Sequence, residues 1–133
     1  MVYLQDMSTQ RFAMAYDKLV LLQTIFGGGP RTSGAEVDGE QVRFKMGAVF
    51  SLDVPRNSIR SAQRSPAQVG GTRGVHGGAG RWLVNGSADG LVEVRLDPPG
   101  RTRPRLATYF RPASVEILTL SLIDPDGFIA AVS

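Results

Sequence analysis

The spacing of apolar residues changes from helix-like to strand-like near residue 34. Between residues 12 and 26, large apolar side chains recur three or four positions apart, which predicts one amphipathic helix. The run Gly27-Gly28-Gly29-Pro30 predicts where that helix ends. Residues 1–11 are polar and have no regular pattern, so we expect a flexible N-terminus and a single domain over residues 12–133. The apolar face of the predicted helix consists of Phe12, Tyr16, Leu19, Leu22 and Phe26.

From residue 34 onward, short runs of alternating apolar and polar residues predict β-strands separated by turns. Asp38-Gly39 predicts a hairpin between the first two strands, and Pro55 ends the third. The first four predicted strands cover residues 35–37, 42–46, 49–54 and 58–63. A short strand is predicted around residues 73–76. Residues 81–84 and 91–96 are predicted to form a hairpin about the turn Asn85–Gly90.

The last part of the chain combines a loop, a strand and a helix. The loop Asp97–Pro112 is rich in Pro and Arg, with a short strand predicted at Leu106–Phe110. Val115–Leu122 is nearly continuous in apolar residues, which predicts a strand buried on both faces. Asp124-Pro125-Asp126 offers an N-cap, a proline for the first helical position and an acid for the first turn, so a C-terminal helix follows. The whole pattern predicts a mainly β domain, a small barrel or sandwich closed by a helix.

Two segments resemble bacterial pleckstrin-homology-like (PH-like) domains: EVDGEQVRFKMGAVFSLDVPRNSIRSA (residues 36–62) and LTLSLIDPDGFIAAV (residues 118–132). The stretch GRWLVNGSADGLVEVRLDPP (residues 80–99) looks like small actinobacterial proteins of that type. The resemblance implies a bent barrel of about six to seven antiparallel strands with a C-terminal helix, to which the predicted N-terminal helix is added. It also implies binding of proteins, peptides or phosphoinositide headgroups. The loop Asp38-Gly39-Glu40 is acidic where lipid-binding members are basic, so no binding residue is carried over.

The composition of the chain limits the kinds of covalent and metal-binding site it can form. The chain has no cysteine and one histidine, which excludes disulfides and thiolate metal sites and argues against zinc. No apolar run is long enough to cross a bilayer and no signal-peptide pattern is present, so we expect a cytoplasmic protein, either free or peripheral to the membrane. Residues 54–115 hold ten arginines against three acids, a net charge of +7, while the remainder carries −4. This basic middle favours an anionic partner.

Residues 74–90 gather the only His and the only Trp of the chain, His76 and Trp82. The neighbouring glycine-rich run Gly70–Gly80 lacks the lysine and the following helix of a phosphate-binding P-loop, although its backbone could form an anion nest. Alternation along residues 81–84 places Trp82 on the core face. We predict an anion- or ligand-binding surface made of Arg73, His76, Arg81, Arg101, Arg103 and Arg105.

The poverty of catalytic groups predicts a non-catalytic binding or scaffold module without a cofactor or metal. Its expected partner is a protein, or a second copy of the chain bound through Phe12, Tyr16, Leu19 and Leu22. One alternative is an anionic lipid headgroup or membrane surface contacting the arginine-rich middle; nucleic acid is not expected, because interleaved aromatic residues are missing. A second alternative is an enzyme or small-ligand carrier, which needs His76, Arg81, Asn85 and Asp89 to converge in one pocket.

Overall fold

A computed structural model describes residues 9–16, 33–65 and 74–133, and it shows a mainly β protein with two sheets and a C-terminal helix. The strands are β1 (Gln10–Ala13), β2 (Ser33–Val37), β3 (Gln41–Met46), β4 (Phe50–Pro55), β5 (Ile59–Arg64), β6 (Gly74–Gly78), β7 (Arg81–Asn85), β8 (Leu91–Arg101) and β9 (Ser114–Ser121). Helix α1 spans Pro125–Val132, and short 3₁₀ turns cover Arg56–Ser58 and Leu106–Thr108.

The first sheet is an antiparallel meander in the order β1-β2-β3-β4. Alternation along β3 buries Val42, Phe44 and Met46 and turns the residues between them toward solvent, as the period of two predicts. The predicted hairpin between β2 and β3 is confirmed. Its turn is fixed by the Asp38 carboxylate, which accepts hydrogen bonds from the backbone N–H groups of Glu40 at 2.8 Å and Gln41 at 2.7 Å.

The second sheet has the order β5-β8-β9-β7-β6, and in it β7 runs parallel to β9. The predicted hairpin of residues 81–84 with 91–96 is therefore wrong, because β9 lies between β7 and β8. The central position suits β9, since its apolar residues need cover on both faces. Val115, Leu118 and Leu120 are all buried. The strands therefore include one parallel pair, which departs from the all-antiparallel barrel that the resemblance implies.

Three isolated bridges among the described residues join the sheets around one core. Leu52 of β4 pairs with Thr102 just beyond β8, and Met14 just beyond β1 pairs with Leu122 just beyond β9. Helix α1 places Phe128 in the core, where its ring makes edge-to-face contacts with the rings of Phe12 and Phe44, at centroid distances of 5.6 and 6.0 Å. The core is thus closed by the helix as well as by the two sheets.

The start of helix α1 follows its predicted cap. Asp124 Oδ1 accepts a hydrogen bond from the N–H of Gly127 at 3.0 Å, and Pro125 occupies the first turn. Arg64 of β5 donates to both carboxylate oxygens of Asp126, at 2.9 and 3.0 Å. This ion pair lowers the pKa of the Asp126 carboxyl through the hydrogen bond itself.

The predicted N-terminal helix is wrong where it can be checked. Phe12 lies in β1, and Tyr16 forms a parallel bridge with Gly86. Phe12, Met14 and Tyr16 also follow a period of two, so this short apolar run fits a strand as well as a helix. The Tyr16 hydroxyl donates to Ser33 Oγ at 2.8 Å, and burial raises its pKa although this hydrogen bond acts in the opposite direction. The other residues of the predicted face, Leu19, Leu22 and Phe26, lie outside the described residues.

The first two residues of the proposed dimer face are thus used inside the chain. Phe12 packs on Phe128, and Tyr16 bonds to Ser33. Among the described residues, no helix is long and apolar enough to cross a membrane. The cytoplasmic location stays a prediction.

Candidate functional site

A cleft of about 500 Å³ opens between the β6–β7 hairpin and the segment that leads into β9. Residues 75–77 of β6 form one side, and residues 107–109 and 111–113 form the other. Trp82 of β7 also lines the cleft. The only histidine and the only tryptophan of the chain therefore meet at this place.

Trp82 is half-buried and contacts both the cleft and the core. Its indole Nε1 donates to the carbonyl oxygen of Ser114 at 3.2 Å, and its ring centroid lies 6.2 Å from that of Phe50. The ring also lies against Gly77 on the neighbouring strand, where an added Cβ would stand 2.2 Å from the ring atom Cδ2. Glycine is required at position 77 because the indole occupies the space of a side chain. Trp82 thus packs against the core, as alternation predicts, and one part of it reaches the cleft.

β6 is an edge strand of the second sheet. Ala79 and Gly80, with φ angles of 53° and 81°, form the two-residue turn to β7, and Gly78 pairs with Arg81. Because antiparallel residues alternate in the direction of their hydrogen bonds, the N–H and C=O groups of Val75 and Gly77 point away from β7. Within residues 9–16, 33–65 and 74–133, no strand pairs with that outer side.

The turn opposite β6 exposes three large apolar side chains, and the strand predicted at Leu106–Phe110 is wrong. The Arg105 carbonyl accepts hydrogen bonds from the N–H groups of Thr108 at 3.1 Å and Phe110 at 2.9 Å, which curls the chain. Tyr109 and Phe110 adopt positive φ angles of 54° and 58°. For a residue with a side chain each such conformation costs on the order of 1 kcal/mol. The exposed side chains are Leu106, Tyr109 and Phe110, at 60, 85 and 65%.

The structure separates the predicted site residues into groups. His76 lines the cleft, whereas Arg81 is exposed at the start of β7. Arg101 ends β8, Arg103 and Arg105 lie on the segment between β8 and the exposed turn, and none of the three is in the cleft lining. Arg103 is held there because its Nη2 donates to Asp53 Oδ2 at 2.7 Å. Arg73 lies outside the described residues.

The four residues predicted for an enzyme or small-ligand carrier do not come together in this cleft. Of its four residues only His76 lines the cleft. Asn85 is buried and its Nδ2 donates to the Ser87 carbonyl at 3.1 Å, while the N–H of Asp89 donates to Ser87 Oγ at 3.0 Å. These polar groups stabilise the loop that follows β7. In the described part of the chain, no group of three metal-binding side chains occurs.

Arg111 is a cleft residue that sequence reasoning missed. It lines the cleft, and within the described ranges no carboxylate lies within 4.0 Å of its guanidinium. Among the lining residues that the structure describes, none is acidic and Arg111 is a cation, so this part of the lining is positively charged. The available signal was the acid-free sequence between Asp97 and Glu116, which contains two aromatic residues directly before Arg111.

Comparison with protein-family models, curated proteins and solved structures finds no significant match to this chain. The PH-like resemblance therefore stays a prediction. The function has to be inferred from the cleft and the strand edge beside it.

Proposed function

We propose that the protein is a non-catalytic binding module that takes up an extended segment of a partner protein on the outer edge of β6. The observation that carries this proposal is the position of that edge. The outward-pointing backbone groups of Val75 and Gly77 lie next to a cleft that can receive side chains. An added strand gains affinity from main-chain hydrogen bonds and specificity from pockets for alternate side chains.

The glycines of β6 favour the close approach of a second backbone. Gly77 and Gly78 carry no side chain that would shield the strand edge. Side chains of a bound strand alternate between its two faces, so every second one would point toward the Trp82 side of the hairpin. There the half-buried indole and Ala107 offer an apolar surface. An apolar residue of the partner segment is expected to sit on it.

The charge of the cleft indicates which side chains the partner segment carries. Arg111 lines the cleft, and no carboxylate lies among the described residues of the lining. Opposite charge stabilises a complex and steers its formation. The partner segment is therefore expected to carry an acidic side chain near its apolar residue.

The PH-like architecture belongs to this proposal. Two sheets around one core and a C-terminal helix support it. The parallel pairing of β7 with β9 is a local difference from an antiparallel barrel. Protein and peptide binding is among the activities that the resemblance implies.

The test uses short random peptides displayed on phage and selected on the full-length protein. Selected peptides are titrated against wild type, Val75→Pro and Val75→Thr by fluorescence anisotropy. Proline removes an outward-pointing N–H and fixes φ without removing a hydrogen bond to β7, whereas threonine keeps the N–H and is also β-branched. We expect Val75→Pro to weaken binding about tenfold or more and Val75→Thr to bind as wild type.

A second measurement leaves the protein unchanged in case Val75→Pro does not fold. Each selected peptide is remade with N-methyl groups at alternate backbone positions, and one of the two alternating sets should abolish binding. The proposal is overturned if no peptide is selected, if the proline variant folds and binds equally, or if neither methylated set loses affinity. A shift from dimer to monomer in Val75→Pro without peptide binding would instead assign the edge to self-association.

A further inference from the structure

We propose that the turn centred on Leu106, Tyr109 and Phe110 docks the protein onto membranes that contain anionic phospholipids. This function is separate from peptide binding on β6. The two surfaces share Tyr109 and Arg111, but Leu106 and Phe110 do not line the cleft, so substitutions at these two positions test the membrane surface alone. The proposal rests on the apolar side chains of the turn, on the arginines around it and on how the backbone presents both.

The apolar part of the turn is displayed and not buried. Leu106, Tyr109 and Phe110 are 60, 85 and 65% exposed, although such side chains usually pack in a core. Aromatic side chains are favoured at the level of lipid headgroups, where one end of the ring meets water and the other meets hydrocarbon. Two aromatic side chains and one leucine in five consecutive residues suit shallow insertion.

The backbone holds this arrangement in place. The N–H of Ala107 donates to the Val49 carbonyl at 3.0 Å, and the Arg105 carbonyl accepts from both Thr108 and Phe110. The buried Thr108 side chain anchors the turn from inside, since its Oγ1 also donates to the Arg105 carbonyl at 3.2 Å. The turn is therefore fixed with its apolar side chains pointing outward.

Arginines flank the turn along the sequence. Between Asp97 and Glu116 the sequence contains no acid. A basic side chain near an anionic bilayer is attracted to it, and several act together. Arg103 is ion-paired with Asp53, which offsets its charge, so the attraction is expected from the other arginines. The arginines of this segment are Arg101, Arg103, Arg105 and Arg111.

The experiment measures co-sedimentation of the full-length protein with phosphatidylcholine vesicles that do or do not contain phosphatidylserine. The wild type should bind the anionic vesicles and lose binding as salt rises. Leu106→Gln with Phe110→Asn should weaken binding about tenfold or more. Arg101→Gln with Arg105→Gln should weaken it roughly thirtyfold.

The matched control is Ile123→Gln. Ile123 is 68% exposed like the residues of the turn, but it lies beyond the opposite end of β9, roughly 25 Å away. Its substitution should leave vesicle binding unchanged, as should Val75→Pro. Peptide affinity should in turn be unaffected by Leu106→Gln with Phe110→Asn, so failure of one proposal does not imply failure of the other.

Three results would overturn the membrane proposal. The first is equal binding to vesicles with and without phosphatidylserine. The second is an effect of Ile123→Gln as large as that of Leu106→Gln with Phe110→Asn. The third is dissociation of a dimer by the double variant with vesicle binding unchanged, which would assign the turn to contact with a second copy.

Discussion

The indole ring of Trp82 fills the space that a side chain at Gly77 would occupy. An added Cβ there would stand 2.2 Å from the ring atom Cδ2, so Gly77→Ala must displace the indole. We expect a loss of about 1–3 kcal/mol in the free energy of unfolding, typical of overpacking. Urea denaturation followed by the fluorescence of the single tryptophan measures it. Gly39→Ala is the control, because a Cβ added at Gly39 would meet no atom beyond its chain neighbours within 4 Å, and no loss is expected.

Phe110 of the exposed turn is expected to contact a partner surface and to contribute little to the stability of the fold. Phe110 has a φ of 58° and is 65% exposed, so its ring contributes little packing while its backbone is strained. Asparagine adopts this conformation more readily. Phe110→Asn should therefore raise the thermal unfolding midpoint slightly or leave it unchanged, by calorimetry. A clear drop would show that the ring stabilises the fold.

Tyr16→Phe tests whether residue 16 packs inside the chain. The tyrosine hydroxyl donates to Ser33 Oγ, and Ser33 is buried. Removing the hydroxyl should cost about 1 kcal/mol in chemical denaturation. A substitution on an exposed helix face would instead leave stability unchanged, and that outcome would contradict the packing of Tyr16 against Ser33.

Asp38 should make stability depend on acid pH. Hydrogen bonds from the backbone N–H groups of Gln41 and Glu40 hold the pKa of its carboxyl below its ordinary value. A lowered pKa in the folded state means that the stabilisation is complete above the unfolded pKa, about 3.9, and is lost as the pH falls through the folded pKa.

Asp38→Ala should accordingly be less stable than wild type at about pH 7, and the difference should shrink as the pH is lowered through about 4 and below. Urea titrations of both proteins across this range measure the difference. A gap that stays constant down to the lowest pH at which both proteins fold would show that the ionised carboxylate does not stabilise the turn.

Local signals in the sequence predicted several elements correctly. Asp38-Gly39 marked a hairpin, and Asp124-Pro125 marked the start of a helix, because each acts through neighbouring residues only. The order of strands in the second sheet, by contrast, was not predicted. Nothing in residues 81–85 shows that their partner is β9 and not β8, since both candidates are apolar and the choice is made by burial of the whole sheet.

The candidate site was predicted only in part, because long-range packing also decides which segments meet there. His76 and Trp82 were singled out, and they do meet in the cleft. The opposite wall was missed, because residues 106–110 show an apolar pattern that fits a strand. Backbone hydrogen bonds, among them two to the Arg105 carbonyl, curl that segment into a turn. Sequence periodicity does not report positive φ angles at residues such as Tyr109.

The parallel pairing of β7 with β9 also fixes the order in which a growing chain can acquire its binding edge. β6 and β7 leave the ribosome before β9. Until β9 follows, they lack the strand that joins them to β8 and β5 in the second sheet. Trp82 likewise lacks the Ser114 carbonyl to which its indole donates. A polypeptide interrupted before Ser114 therefore has the hairpin sequence but no sheet to hold it. We expect only chains synthesised through β9 to be competent for binding.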